Sequence, residues 1–100
     1  MRVIWAPRAI RRVTEIAGYI AADRPGAART WTRALFDRVR TVSHQPRMGR
    51  QVPELNRDEV REVLHGEYRV VYRIDPKRVV VLTVRHGRRE WDPAELEPDG

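Results

Sequence analysis

Between residues 59 and 85 the apolar side chains stop recurring every three or four positions and begin to alternate, and this change of period constrains the fold more than any other feature. Three runs carry it: about Glu59 to Leu64, Tyr68 to Ile74 and Val79 to Arg85. Period two is what a strand with one buried face requires. The breaks between the runs are "HGE" and "DPKR", and Asp followed by Pro suits a type I turn, so the runs predict an antiparallel meander. In the middle run Tyr68, Val70, Tyr72 and Ile74 fall on one face and Arg69, Val71 and Arg73 on the other. The first face is expected to receive helices, and the second to keep water and charge. The last run, "VVVLTV", is apolar on both faces, as suits a strand interior to its sheet.

Upstream the period is helical. After a short β-prone "RVIW", Pro7 fits the first turn of a helix whose stripe is Ile10, Val13, Ile16, Ala17 and Ile20, ending near Ala22. "DRPG" breaks it, and Pro25 opens a second helix with the stripe Ala28, Trp31, Leu35, Val39 and Val42. A connection that short predicts an antiparallel helical hairpin. "SHQPRMGRQVPELN" then reads as loop, and "WDPAELEPDG" as an acidic, flexible tail. The expected fold is α+β with element order β-α-α-β-β-β, a two-helix hairpin on one face of a small, mainly antiparallel, curved sheet. One domain over residues 1–91 and a tail over 92–100 account for the chain, with the place of the first strand in the sheet left open.

Charge narrows the partners. Lys77 is the single lysine among 20 basic residues, which leaves 19 arginines against 14 acidic residues. Five of those acids (Glu90, Asp92, Glu95, Glu97, Asp99) follow the last arginine, so residues 1–89 carry 20 basic and nine acidic groups, +11, and residues 90–100 carry −5. So basic a body attracts polyanions or acidic protein segments. With no cysteine and three unclustered histidines, no metal site or cofactor is expected. No apolar run approaches the length of a membrane span, so the chain reads as cytoplasmic.

Arg61, Arg69 and Arg73 alternate with apolar residues on neighbouring strands and are expected to converge on the open sheet face, with Arg85, Arg88 and Arg89 joining at the edge. Planar bidentate donors in that arrangement suit phosphates or carboxylates. The competing reading pairs them with Glu59, Glu62 and Glu67 as a solvated ladder. Cleavage of RNA through its 2′-hydroxyl would further need a proton acceptor and a proton donor. The candidates are His65, His86, Glu62 and Glu67; His65 reads as a solvated turn residue, and His86, beside Gly87 and the arginines, is the stronger. Trp5, Trp31 and Phe36 read as core.

Taken in order, "PRMGRQVPEL", "REVLHGEYRVVYRI" and "VVVLTVRHGRRE", after two amphipathic helices, resemble the RelE/ParE superfamily of bacterial type II toxins over about residues 2–91, and its ParE branch in particular. The resemblance implies the same β-α-α-β-β-β fold and one of two activities. RelE-like members are ribosome-dependent endoribonucleases acting on mRNA. ParE-like members poison DNA gyrase, block replication and arrest growth, as in plasmid stabilization. Arg69 in "YR" and Arg89 in "GRRE" match the two arginines of the RelE active site. The lysine pair expected before Arg69 is missing, with Arg61 the basic residue there, and no tyrosine follows Tyr72. The resemblance therefore implies a gyrase poison held by an acidic, ParD-like antitoxin, with Arg69, Arg89 and His86 as the catalytic set of the nuclease alternative. A non-toxic module binding nucleic acid or protein is the third reading.

Overall fold

The computed structural model describes residues 1–88 and 93–96. In chain order it contains β1 (Arg2–Trp5), α1 (Pro7–Asp23), α2 (Pro25–His44), a 3-10 turn (Pro46–Met48), β2 (Arg50–Gln51), β3 (Val60–His65), β4 (Tyr68–Ile74), β5 (Arg78–His86) and a second 3-10 turn (Pro93–Leu96). Proline sets both helix boundaries. Pro7 and Pro25 occupy first-turn positions, where the missing amide would have no intrahelical partner anyway. Arg24 and Gln45, each the residue before a proline, leave the helical region, as the clash with the following ring demands.

The sheet order is β1-β5-β4-β3-β2. The meander pairs as its pattern predicts, and β5 is an interior strand, flanked by β4 and by β1 in parallel (Arg2 opposite Arg78, Trp5 opposite Val81). Two-residue β2 lies inside the stretch read as loop and pairs antiparallel with Arg61 and Glu62 of β3.

Alternation puts Val63, Val70, Tyr72, Val79, Val81 and Val84 under the hairpin, against Ala9, Val13, Leu35, Val39 and Val42. The hairpin's sheet-facing row on α1 runs Ala9, Val13, Ile16, one position back from the expected start. Ile10 and Phe36, both read as core, are therefore turned outward and are 53% and 44% exposed. A helix stripe can exceed the width of the sheet contact, and the surplus lines the outer side of the hairpin.

The opposite sheet face is not the open, hydrated surface expected. Val60, Val71, Val80 and Leu82 form a second small core there, closed by Val52 and Leu55 from the segment before β3. The cause is a bulge. Thr83 pairs with Val71 and Val81 with Tyr72, so Leu82 is an extra residue and falls on the same face as Thr83. That gives the far face more apolar surface than water would leave uncovered, and the 52–59 segment folds over it as a strap.

Candidate functional site

Arg69 sits on the far face beneath the strap, with its side chain 6% exposed. All three of its donor nitrogens are taken by carboxylates. Nε donates to Glu62 Oε1 at 2.6 Å, and Nη1 and Nη2 donate to the two oxygens of Glu54 at 2.8 and 2.9 Å. The Glu62 side chain is fully buried, and its other oxygen accepts from Arg50 Nε at 2.7 Å. The hydrogen bonds that Arg69 donates to Glu54, ahead of the one to Glu62, raise its pKa further above the ordinary value, against the opposing effect of burial. Arg85 lies directly across from Arg69 in the ladder and is equally buried. Adjacent guanidiniums repel, and the buried Glu62 carboxylate with Glu54 on Arg69 is what makes the pair tolerable.

The other predicted residues do not join this pair on an exposed surface. Arg61 is registered opposite Tyr72, which places it on the helix-bearing face; it donates to the Gly49 carbonyl and to Asp58. The convergence of Arg61 with Arg69 and Arg73 is thus corrected by the pairing of β3: residues opposite one another share a face. Arg73 shares the Arg69 face but binds Asp75 through Nε at 2.8 Å, a contact that lowers the Asp75 carboxyl below its usual range. Arg88 is exposed beyond the end of β5. Arg89 lies outside the described residues.

His86 occupies the helix-bearing face. It stands opposite Tyr68, which stands opposite His65, so the three rings form a row across β5, β4 and β3 with Trp31 of α2 against His65 and Tyr68. His65 is accordingly no solvated turn residue; it ends β3 and its Nε2 lies 3.2 Å from the Trp31 carbonyl. The Arg88 amide donates to His86 Nδ1 at 3.3 Å, which assigns the proton of neutral His86 to Nε2 and engages the lone pair a general base would use. Glu67 is 3.8 Å from that Nε2, and Glu62 is locked between two arginines. The sheet itself separates His86 from Arg69. Among the described residues no group of three or more His, Cys, Asp or Glu could hold a metal ion.

Two motifs of the sequence meet at one hydroxyl. Tyr72 Oη donates to the Pro46 carbonyl at 2.6 Å and accepts from the Gly49 amide at 3.0 Å, tying "PRMG" to "YRVVY". Burial raises the Tyr72 pKa, so the phenol stays protonated and can donate. A Cβ at position 49 would collide with that hydroxyl and with the Glu62 carbonyl oxygen, so glycine is required there for space.

A concave surface lies elsewhere, on the solvent side of the hairpin. A groove of about 770 Å³ runs between α1 and α2 over Ala17, Gly18, Ala21 and Ala28, with Arg29, Arg33 and Arg40 along its α2 wall. At one end it deepens into an apolar pocket of about 470 Å³ under the outward-turned Ile10 and Phe36, floored by Val13 and Trp5. Sequence reasoning missed it because those side chains extend the same stripe that packs the core. Neither Arg29 nor Arg33 has an acidic partner among the described residues.

A two-helix hairpin packed on one face of a mixed five-stranded sheet is a fold shared with proteins of bacterial toxin-antitoxin systems. The superposition on a chain of the chromosomal ParDE system of P. aeruginosa has a TM-score of 0.73 at 16% identity, covering 86% of this chain and 95% of that one. A chain of the RelBE2 toxin-antitoxin complex of Mycobacterium tuberculosis superposes with a TM-score of 0.60 at 24% identity, over 85% and 95%. In sequence, the protein Y4kP of Sinorhizobium fredii is 33% identical over 92 residues, 90% of this chain and 92% of its own length. The family model for the ParE toxin of the type II toxin-antitoxin system parDE matches residues 3–91. The chain belongs to the ParE toxin family.

Proposed function

We propose that this ParE-family toxin acts in the cytoplasm by poisoning DNA gyrase and has no ribonuclease activity. The observation that carries this reading is the separation of the nuclease set: Arg69 is saturated by Glu54 and Glu62 on one face, while His86 lies on the other. Phosphodiester cleavage needs the proton acceptor and the phosphate clamp within reach of one phosphate. Brief induction in cells, with labelling of DNA and protein synthesis, tests it alongside a supercoiling assay on purified gyrase. The expected result is early arrest of DNA synthesis with gyrase trapped on cleaved DNA. Early arrest of translation with cut transcripts would sink the reading in favour of the nuclease.

The neutralising partner is an acidic antitoxin whose C-terminal segment orders in the hairpin groove. Charge and shape support this placement over the arginine face, which the strap covers. Apolar anchors fit the pocket between Ile10 and Phe36, and acidic side chains fit the wall of Arg29, Arg33 and Arg40. The double variant Arg29→Glu/Arg33→Glu is expected to weaken the complex with the co-expressed product of the adjacent reading frame roughly tenfold or more, through like-charge contacts. Titration calorimetry on the purified pair reads this; unchanged affinity would move the partner off the groove.

A further inference from the structure

The acidic end of the chain is fastened to the basic start of α1. In the second 3-10 turn the Glu95 carboxylate is buried, its side chain 5% exposed; it accepts from Thr83 Oγ1 at 3.1 Å and lies 3.7 Å from Arg12 Nη2. One residue earlier, the Ala94 carbonyl accepts from Arg8 Nη1 at 2.7 Å. Arg8 and Arg12 are one helical turn apart, with exposed Arg11 beside them and no acidic residue in the first turn of α1. A guanidinium held against this turn has fewer of its five N–H donors to offer a phosphate. The turn is four residues long and is anchored by side-chain contacts through Glu95 and Ala94, so it belongs among the elements that open locally before the core does.

We propose that the C-terminal turn is an autoinhibitory clasp on a phosphate-contacting face of α1, and that the backbone of duplex DNA takes this face when the clasp opens. Nucleic acid is the ligand because it gains from every released cation. Each new contact between a guanidinium and a phosphate frees a condensed counterion, whereas the intramolecular clasp frees none. Residues 1–89 carry +11, and the acid of the clasping turn, Glu95, is set against the basic start of α1. The proposal is independent of the target assigned above, since it concerns binding to DNA alone.

The test measures binding of the full chain to a mixed-sequence DNA duplex as a function of salt. Glu95→Gln keeps the shape and removes the charge, and Thr83→Val removes the donor without changing charge. Both are expected to bind about tenfold more tightly than the parent near physiological salt, with the slope of log K against log salt steeper by about two, for Arg8 and Arg12. Asp23→Asn, at the far end of α1, makes the same charge change as Glu95→Gln and is expected to leave the slope unaltered. Adding Arg8→Gln and Arg12→Gln to Glu95→Gln should return the slope to the parental value. Hydrogen exchange should show residues 94–96 losing protection when the parent binds DNA.

Equal gains for Asp23→Asn and Glu95→Gln would reduce the effect to net charge and overturn the clasp. So would absence of any gain in Thr83→Val, or protection of 94–96 that survives DNA binding. A gain confined to poly-glutamate would overturn the assignment to nucleic acid.

Discussion

Arg69→Ala is expected to cost about 3–5 kcal/mol of stability, because it strands the Glu62 carboxylate in a site it cannot leave. Glu62 is on the middle of β3, fully buried, and among the described residues retains Arg50 as its cationic partner, whose side chain is 61% exposed. For a domain of this size the total stability is about 5–15 kcal/mol, so this one change brings the chain close to unfolding at body temperature. Urea denaturation measures it. The double variant Arg69→Leu/Glu62→Leu is the informative control: replacing a buried ion pair by apolar residues is often neutral, so it should recover most of the loss. Recovery of fold would also allow the gyrase assay to be run without Arg69. A poison that needs no phosphate clamp keeps its activity in that variant, and a nuclease does not.

Gly49→Ala is expected to be nearly as damaging, at roughly 2–4 kcal/mol, from overpacking and the loss of buried hydrogen bonds together. The added methyl meets the Tyr72 hydroxyl and the Glu62 carbonyl oxygen, and moving the tyrosine breaks its bonds to Pro46 and to the Gly49 amide. Tyr72→Phe alone should cost about 1–3 kcal/mol, since it leaves that buried amide without an acceptor. The pair should then be strongly non-additive, because phenylalanine removes the oxygen the new methyl strikes. Additive losses in a thermal or urea double-mutant cycle would show that Gly49 is needed for another reason.

Much of this architecture is legible in the residues. Prolines 7, 25 and 46 mark the helix limits through a local steric rule, and β4 has the bounds Tyr68–Ile74 that alternation assigns. The side of each β4 residue is also legible, and by the same count His86, next to Arg85, had to face away from Arg69. What escaped were choices made over distance. Nothing local in "QVPELN" says that Val52 and Leu55 close a second core while Glu54 between them meets Arg69. The one trace is the pattern itself, an acid flanked by apolar residues in a stretch otherwise read as loop. The hairpin groove was hidden for another reason: periodicity gives the width of an apolar stripe but not how much of it the sheet consumes.

The parallel pairing of β1 with β5 has a consequence for the order of events during synthesis. Arg2 finds its partner at Arg78, so the first strand made must wait for nearly the last. The meander can zip from neighbours, and the hairpin from its turn, but closing the sheet joins residues more than three quarters of the chain apart. On the ribosome the N-terminal strand and both helices therefore emerge as an unfinished half with their apolar rows uncovered. The closed sheet comes into being only when β5 has left the exit tunnel. A toxin of this fold is in that sense inert by construction until its synthesis is all but finished.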